Sequence, residues 1–188
     1  MSPLLTPLPD IRRLRLHLRR GGIIAYATES CYGLGCDPDN RRAVRRILRL
    51  KGRPQGKGLI LVGAELAQFR RYLAPLPCAL RARLDAWWPG PNTLLLPTSR
   101  HCPRDLRGRH AKLAVRVSAH RETARLCQAL GMALVSTSAN RAGQQALKTA
   151  AACRRAFGDQ VLALPGRIGQ RKRPSTIIDP GSGNVFRA

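Results

Sequence analysis

The chain has 188 residues, 44% of them hydrophobic, which is enough to bury a core unaided and too many for a disordered segment. Its formal net charge of +24, from 34 basic against 10 acidic side chains, calls for an anionic partner: nucleotide, tRNA or both. No apolar run reaches the roughly 20 residues that cross a bilayer, and "MSPLLTPLPDIRRLRLHLRR" lacks the pattern of a secretory signal, so the expectation is a cytoplasmic protein with no membrane contact. Six cysteines without a CxxC pair read as reduced thiols. Cys31 and Cys36 have no second Cys or His pair to complete a metal site. Aromatic residues make up only 4% of the chain, so RNA contact would run through backbone phosphate rather than stacked bases.

In chain order, Asp10 caps a helix over 11–20, with Ile11, Leu14 and Leu18 on one face, and Gly21-Gly22 ends it. "IIAYA" (23–27) is a short strand, followed by a polar, glycine-containing loop, "TESCYGLGCDPDN". Asp39 or Asn40 starts a second helix that buries Ala43, Val44, Ile47 and Leu48 and turns Arg41, Arg42, Arg45, Arg46 and Arg49 outward. The loop "KGRPQGKG" leads into the strand "LILV" (59–62). Helices are expected over 64–73 and 77–87, a strand over 93–96, and a long basic loop over 98–110. Then come the strand "LAVRV" (113–117), a helix over 121–130, the strand "ALVSTS" (133–138), a helix over 149–157 and a strand over 161–165. "STIID" and "NVFR" form a hairpin across "PGSG". This alternation predicts one α/β (α+β-like) domain over 1–188, with flanking helices on a mixed sheet. Polar loops follow several strands, the edge where such sheets bind ligands.

Five stretches carry chemistry. In "KGRPQGKG" stand two of the chain's only five lysines, Lys51 and Lys57, around Arg53 and among 29 arginines in all. A lysine ammonium is a compact charge for a phosphate and Arg53 can fork across two oxygens, although a basic turn would read the same way. "VSTSAN" offers Ser136, Thr137, Ser138 and Asn140 as donors or as helix caps. "ATES" places Thr28, Glu29 and Ser30 at a strand end. Arg116 is the one charge within "AVRV", where it either meets a ligand or points outward by alternation. "RPSTIID" brings Ser175 and Thr176 behind Arg173. None of these holds a nucleophile–base pair, and His17, His101, His110 and His120 stand apart from them in sequence.

Together, "IIAYATESCYGLGCDP", "LKGRPQGKGLILV", "WWPGPNTLLLP", "LAVRV", "LVSTSAN" and "RPSTIID" resemble, in order, the YrdC/TsaC family of L-threonylcarbamoyladenylate synthases, from about residue 11 to the C-terminus. The resemblance, closest to the short TsaC form, implies a twisted mixed parallel and antiparallel sheet around a deep basic groove. It implies a nucleotidyltransferase that makes threonylcarbamoyl-AMP and pyrophosphate from L-threonine, bicarbonate and ATP. Partner proteins then transfer the threonylcarbamoyl group to adenosine 37 of tRNA. It also implies site roles: Lys51 and Arg53 as catalytic residues that, with Lys57, hold the triphosphate; Ser138, Asn140, Ser175, Thr176 and Arg173 as further ATP contacts; and Thr28, Arg116 and Ser136 at the threonine end. No protein metal ligand is implied, and Mg²⁺ would travel with the triphosphate. The chain departs from relatives at Ala27, at Ser30 and after Asn140, which leaves nucleotide contacts beyond Asn140 open. Two alternatives remain: a non-catalytic RNA-binding module, and an ATP-dependent carbamoyl transfer like that of hydrogenase-maturation enzymes.

Overall fold

The computed structural model describes residues 6–187; the ends of the expected 1–188 domain lie outside the described residues. Helix α1 (Ile11–Arg19) begins where the Asp10 carboxylate accepts from the N–H groups of Arg12 and Arg13. Strand β1 (Ile24–Ala27) follows. The expected polar loop after it holds a further strand, β2 (Tyr32–Gly35), all of it buried. Its two glycines hid it from a propensity reading, since glycine is depleted in strands; at Gly35 the missing side chain leaves room for the ring of Tyr26.

Helix α2 (Arg41–Lys51) is capped by Asn40 and buries the expected Ala43, Val44, Ile47 and Leu48. Strand β3 (Ile60–Gly63) follows the loop. The helices expected over 64–73 and 77–87 shrink to a 3₁₀ turn at Leu66–Phe69, one α-turn, α3 (Cys78–Arg81), and a second 3₁₀ turn at Leu84–Ala86. Pro75 and Pro77 break the first segment from the second, although Phe69 and Leu73, and Leu84 and Trp88, are buried at i, i+4 spacing. Strand β4 (Asn92–Pro97) comes next, and the long basic loop contains one helical turn, α4 (Arg104–Arg107). Then follow β5 (Lys112–Val117), α5 (Arg121–Leu130), β6 (Leu134–Ser138), α6 (Ala150–Phe157), a short β7 (Leu162–Ala163), β8 (Thr176–Ile178) and β9 (Val185–Arg187).

These strands form one nine-stranded mixed sheet in the order β7-β1-β2-β6-β3-β5-β4-β8-β9. The pairs β1/β7, β3/β5 and β4/β8 are parallel and the other neighbours antiparallel. Period-two alternation splits the core into two layers. Ile24, Tyr26, Val62 and Leu134 pack with Leu14 and Leu18 of α1 and Leu126 and Leu130 of α5. Ala25, Leu34, Leu61 and Val135 pack with Val44 and Ile47 of α2 and Cys153 and Phe157 of α6.

Candidate functional site

One run of strand residues escapes both layers. On β5, Leu113, Val115 and Val117 enter the core, while Lys112, Ala114 and Arg116 face a cavity of about 850 Å³. Leu95, Ala114, Ile60 and Ser136 lie in register across β4, β5, β3 and β6 and form its floor. Alternation therefore does turn Arg116 off the core face, but into a hollow rather than into solvent.

One wall is the loop after α2. Gly52 caps the helix, and Arg53 then folds back so that its Nε donates to the Gly58 carbonyl at 3.0 Å and its Nη2 to that of Lys57 at 3.3 Å. Arg53 and Lys57 both line the cavity. Burial pushes the Arg53 guanidinium below its usual range. The loop is clamped from behind by residues 104–110. Gly108 has φ +66°, and a Cβ there would fall 2.4 Å from the Gly56 carbonyl oxygen and 2.6 Å from the Gly58 nitrogen. Asp105, buried, accepts from Gln55 within the loop and from Arg41 and Arg45 of α2.

Lys51 stands behind this wall and does not line the cavity. It is only 6% exposed. Its Nζ donates to the carbonyl oxygens of Ser138 (2.6 Å) and Asn140 (2.9 Å), with Asn140 Oδ1 at 3.1 Å and Ser138 Oγ at 3.4 Å. Its own carbonyl accepts from Ala142 N–H. Ser138 Oγ donates to Asn140 Oδ1 (2.6 Å), and Asn140 Nδ2 donates to the carbonyls of Arg141 and Gln144, so the Asn140 amide has one orientation that satisfies every partner. Ser138 and Asn140 reach the cavity; the lysine fixes the turn that carries them. Burial, with Arg53 beside it, pushes the Lys51 ammonium down to about 8.

At another end lie Thr28, Cys31, Arg116 and Ser136. Thr28 Oγ1 donates to the Cys31 carbonyl at 2.7 Å, fixing the turn between β1 and β2. Arg116, 7% exposed, has its Nη2 3.2 Å from Glu29 Oε2.

The third side comes from the C-terminal hairpin. Ser175 Oγ pairs with Thr93 Oγ1 (2.8 Å) and accepts from Arg187 Nη2 (3.0 Å). Ser175 lines the cavity, whereas Thr176 and Arg173 do not; Lys172 takes the place expected of Arg173. Thr176 instead accepts from Arg171. Gln144, Gln145 and Lys148 also reach the cavity, in the segment after Asn140 that the sequence left open.

The electrostatic balance is one-sided. Eight cationic side chains line the cavity, and only two have a carboxylate partner: Arg116 with Glu29, and Lys112 with Asp179. Arg53, Lys57, Arg107, Lys148, Lys172 and Arg187 have none among the described residues. Burial, then Arg116 and Arg53, hold the Arg187 guanidinium below its usual range, a sign of positive charge converging on one hollow. Four of the five lysines line the cavity and the fifth, Lys51, braces it. Sequence reasoning missed Arg187, Lys112, Lys148 and Lys172; lysine scarcity, applied to every lysine, was the signal that would have found three of them. It also placed His110 apart from the site, but His110 lies on the cavity wall, next to Arg107 in space.

Among the described residues no cluster of three His, Cys, Asp or Glu side chains could hold a metal. The one carboxylate on the cavity wall, Asp179, is engaged by Lys112. No helix among the described residues is long and apolar enough to cross a membrane.

In sequence and in fold this chain is similar to known proteins. A threonylcarbamoyl-AMP synthase of Chromobacterium violaceum is 61% identical over 187 residues, covering 96% of this chain and 97% of that one. Another, from Laribacter hongkongensis, is 58% identical over 181 residues, covering 96% and 97%. Among solved structures, P. abyssi Sua5 complexed with L-threonine superposes with a TM-score of 0.80 at 31% identity, over 90% of this chain and 50% of that one. E. coli YciO superposes with a TM-score of 0.79 at 27% identity, over 100% and 95%. The Sua5/YciO/YrdC family model, described as "Telomere recombination", matches residues 17–188, and with relatives this similar over nearly the whole length the chain belongs to that family.

Proposed function

We propose that this protein is a threonylcarbamoyl-AMP synthase, forming L-threonylcarbamoyladenylate and pyrophosphate from L-threonine, bicarbonate or CO2, and ATP. The observation that carries the reading is the cavity whose lining holds six cations without carboxylate partners among the described residues, together with Arg116, Thr28 and Ser136. A threonyl carbamate and ATP are both anionic and repel each other. The carbamate oxygen must nevertheless approach the α-phosphorus in line while pyrophosphate departs. Arg53 and Lys57 would hold the triphosphate, with Ser138, Asn140 and Ser175 lining its seat. Arg116 would take the amino acid's carboxylate, with Thr28 and Ser136 beside it. Lys51 serves through the turn it braces, and Arg173 and Thr176 through the hairpin that presents Ser175. Any Mg²⁺ would arrive on the triphosphate, there being no cluster of three metal-ligating side chains among the described residues.

The test is incubation with ATP, threonine and bicarbonate, reading pyrophosphate release and the mass of the adenylate. Threonine-dependent pyrophosphate release with an adenylate of the threonylcarbamoyl mass is the expected outcome. ATP turnover that ignores threonine would defeat the reading.

The second reading, a non-catalytic RNA-binding module, draws on the exposed guanidinium groups of α2, of which Arg42 and Arg49 have no acidic partner among the described residues. RNA binding that weakens steeply with salt, with no pyrophosphate release, would favour it. A role in modifying adenosine 37 of tRNA, hand-over to transfer proteins, a cytoplasmic setting and a single domain all belong to the same proposal. The one continuous sheet supports the last of these.

A further inference from the structure

Among the described residues only two buried side-chain nitrogen or oxygen atoms lack a hydrogen-bond partner, Arg116 Nε and Glu29 Oε2. They belong to the same ion pair. Buried polar atoms are nearly always satisfied, so two orphans in one pair at a cavity wall ask for an explanation. Arg116 lines the cavity and Glu29 does not. Their side chains are 9% and 12% exposed, so neither charge can be left to water.

Glu29 is itself held from several sides. Its Oε1 accepts from Ser118 Oγ at 2.7 Å. Its carbonyl accepts from Arg171 N–H at 3.1 Å, and the preceding carbonyl, of Thr28, accepts from Gly169 N–H at 2.9 Å. Gly169 presses on this turn so closely that a Cβ would fall 2.7 Å from the Glu29 carbonyl oxygen. The carboxylate is thus a fixed point, while the guanidinium is attached through Nη2 alone and keeps Nε unspent.

We propose that Glu29 is the positioning residue for Arg116: it anchors the guanidinium through Nη2 at the cavity wall beside Thr28 and Ser136, so that its remaining cavity-facing edge is held for the substrate carboxylate. A long side chain of like charge to Arg53 and Arg187 would otherwise be drawn to the same phosphate oxygens, at the cost of threonine recognition. Glu29 assigns it to one of the two reagents. The proposal rests on the reading of Arg116 as the group that meets the amino acid's carboxylate.

The experiment measures KM for threonine and KM for ATP separately in E29A, E29Q, S118A and R116Q, with thermal unfolding alongside. Loss of a charge-assisted contact predicts that E29A raises KM for threonine about tenfold, with KM for ATP changing less than about twofold. E29Q keeps one oxygen, enough for either Ser118 or Nη2 but not both, and recovers at most part of the loss. S118A frees Oε1 only and raises KM for threonine about threefold, carrying the test if E29A fails to fold. An unchanged or lowered KM for threonine in E29A, or equal rises in both KM values, would overturn the proposal. R116Q separates the two levels. If it raises KM for threonine while E29A and S118A do not, only the positioning role falls. If R116Q leaves KM for threonine unchanged, the reading of Arg116 falls with it.

Discussion

The Lys51 ammonium sits 2.6 Å from the carbonyl oxygen of Ser138, so the end of α2 and the turn after β6 are held by one charge. Two stretches nearly ninety residues apart in sequence act as one part.

That bond separates two lysines that look equivalent in "KGRPQGKG". Arginine at position 51 must fit a planar guanidinium into a slot only 6% exposed, and K51M takes the ammonium away from the Asn140 carbonyl and leaves the Ser138 carbonyl with the Asn140 N–H alone. Both substitutions should lower pyrophosphate release by about 100-fold, and K51M should cost about 3 kcal/mol of stability. Lys57 lies exposed on the cavity rim, where an arginine keeps the charge, so K57R should retain most of the rate. Pyrophosphate assays with urea unfolding check the set, and an active K51R would contradict the bracing role.

The same lysine sets a pH signature. Its ammonium is pushed down to about 8 in the folded chain, against 10.5 for a free lysine. Between those values the unfolded chain holds more protons than the folded one, so this group's contribution to stability rises with pH from about 8 to about 10.5. Activity should move the other way, because a neutral amine has one fewer N–H for the turn. The rate is expected to fall through about pH 8 without loss of fold, and to fall no longer there in K51M. Rate and unfolding measured side by side from pH 7 to 10 decide it, with roughly half-unit steps sufficient.

Gly108 offers a test of the clamp behind Arg53. In G108A the new methyl would strike main-chain atoms of Gly56 and Gly58, and φ +66° disfavours any L side chain. The expected cost is about 2 kcal/mol, with weaker ATP binding and threonine binding retained. Calorimetric titration of each substrate checks the split, and equal loss of both would show that the clamp serves the fold rather than the loop.

Much of this arrangement was legible in the sequence. Caps at Asp10 and Asn40, the apolar face of α2 and the alternation of β5 all follow from local chemistry. What sequence could not give is depth. Lys51 and Lys57 stand seven positions apart counted inclusively, yet one is buried and one exposed, because the end of α2 packs inward while the 3₁₀ turn that carries Lys57 lies at the surface. Glu29 looked like one polar residue among several in "ATES"; its role comes from β5, far along the chain. Strand β2 was missed because pairing on both sides, not propensity, makes it a strand.

The uneven distribution of side-chain amines has a practical consequence. Guanidinium groups stay protonated and ignore acylating reagents, whereas amines do not. All five lysines border or brace one hollow, so a mild activated ester would mark this molecule almost wholly on its working face. A molecule seated there would shield those marks, and the labelling pattern would serve as an occupancy gauge.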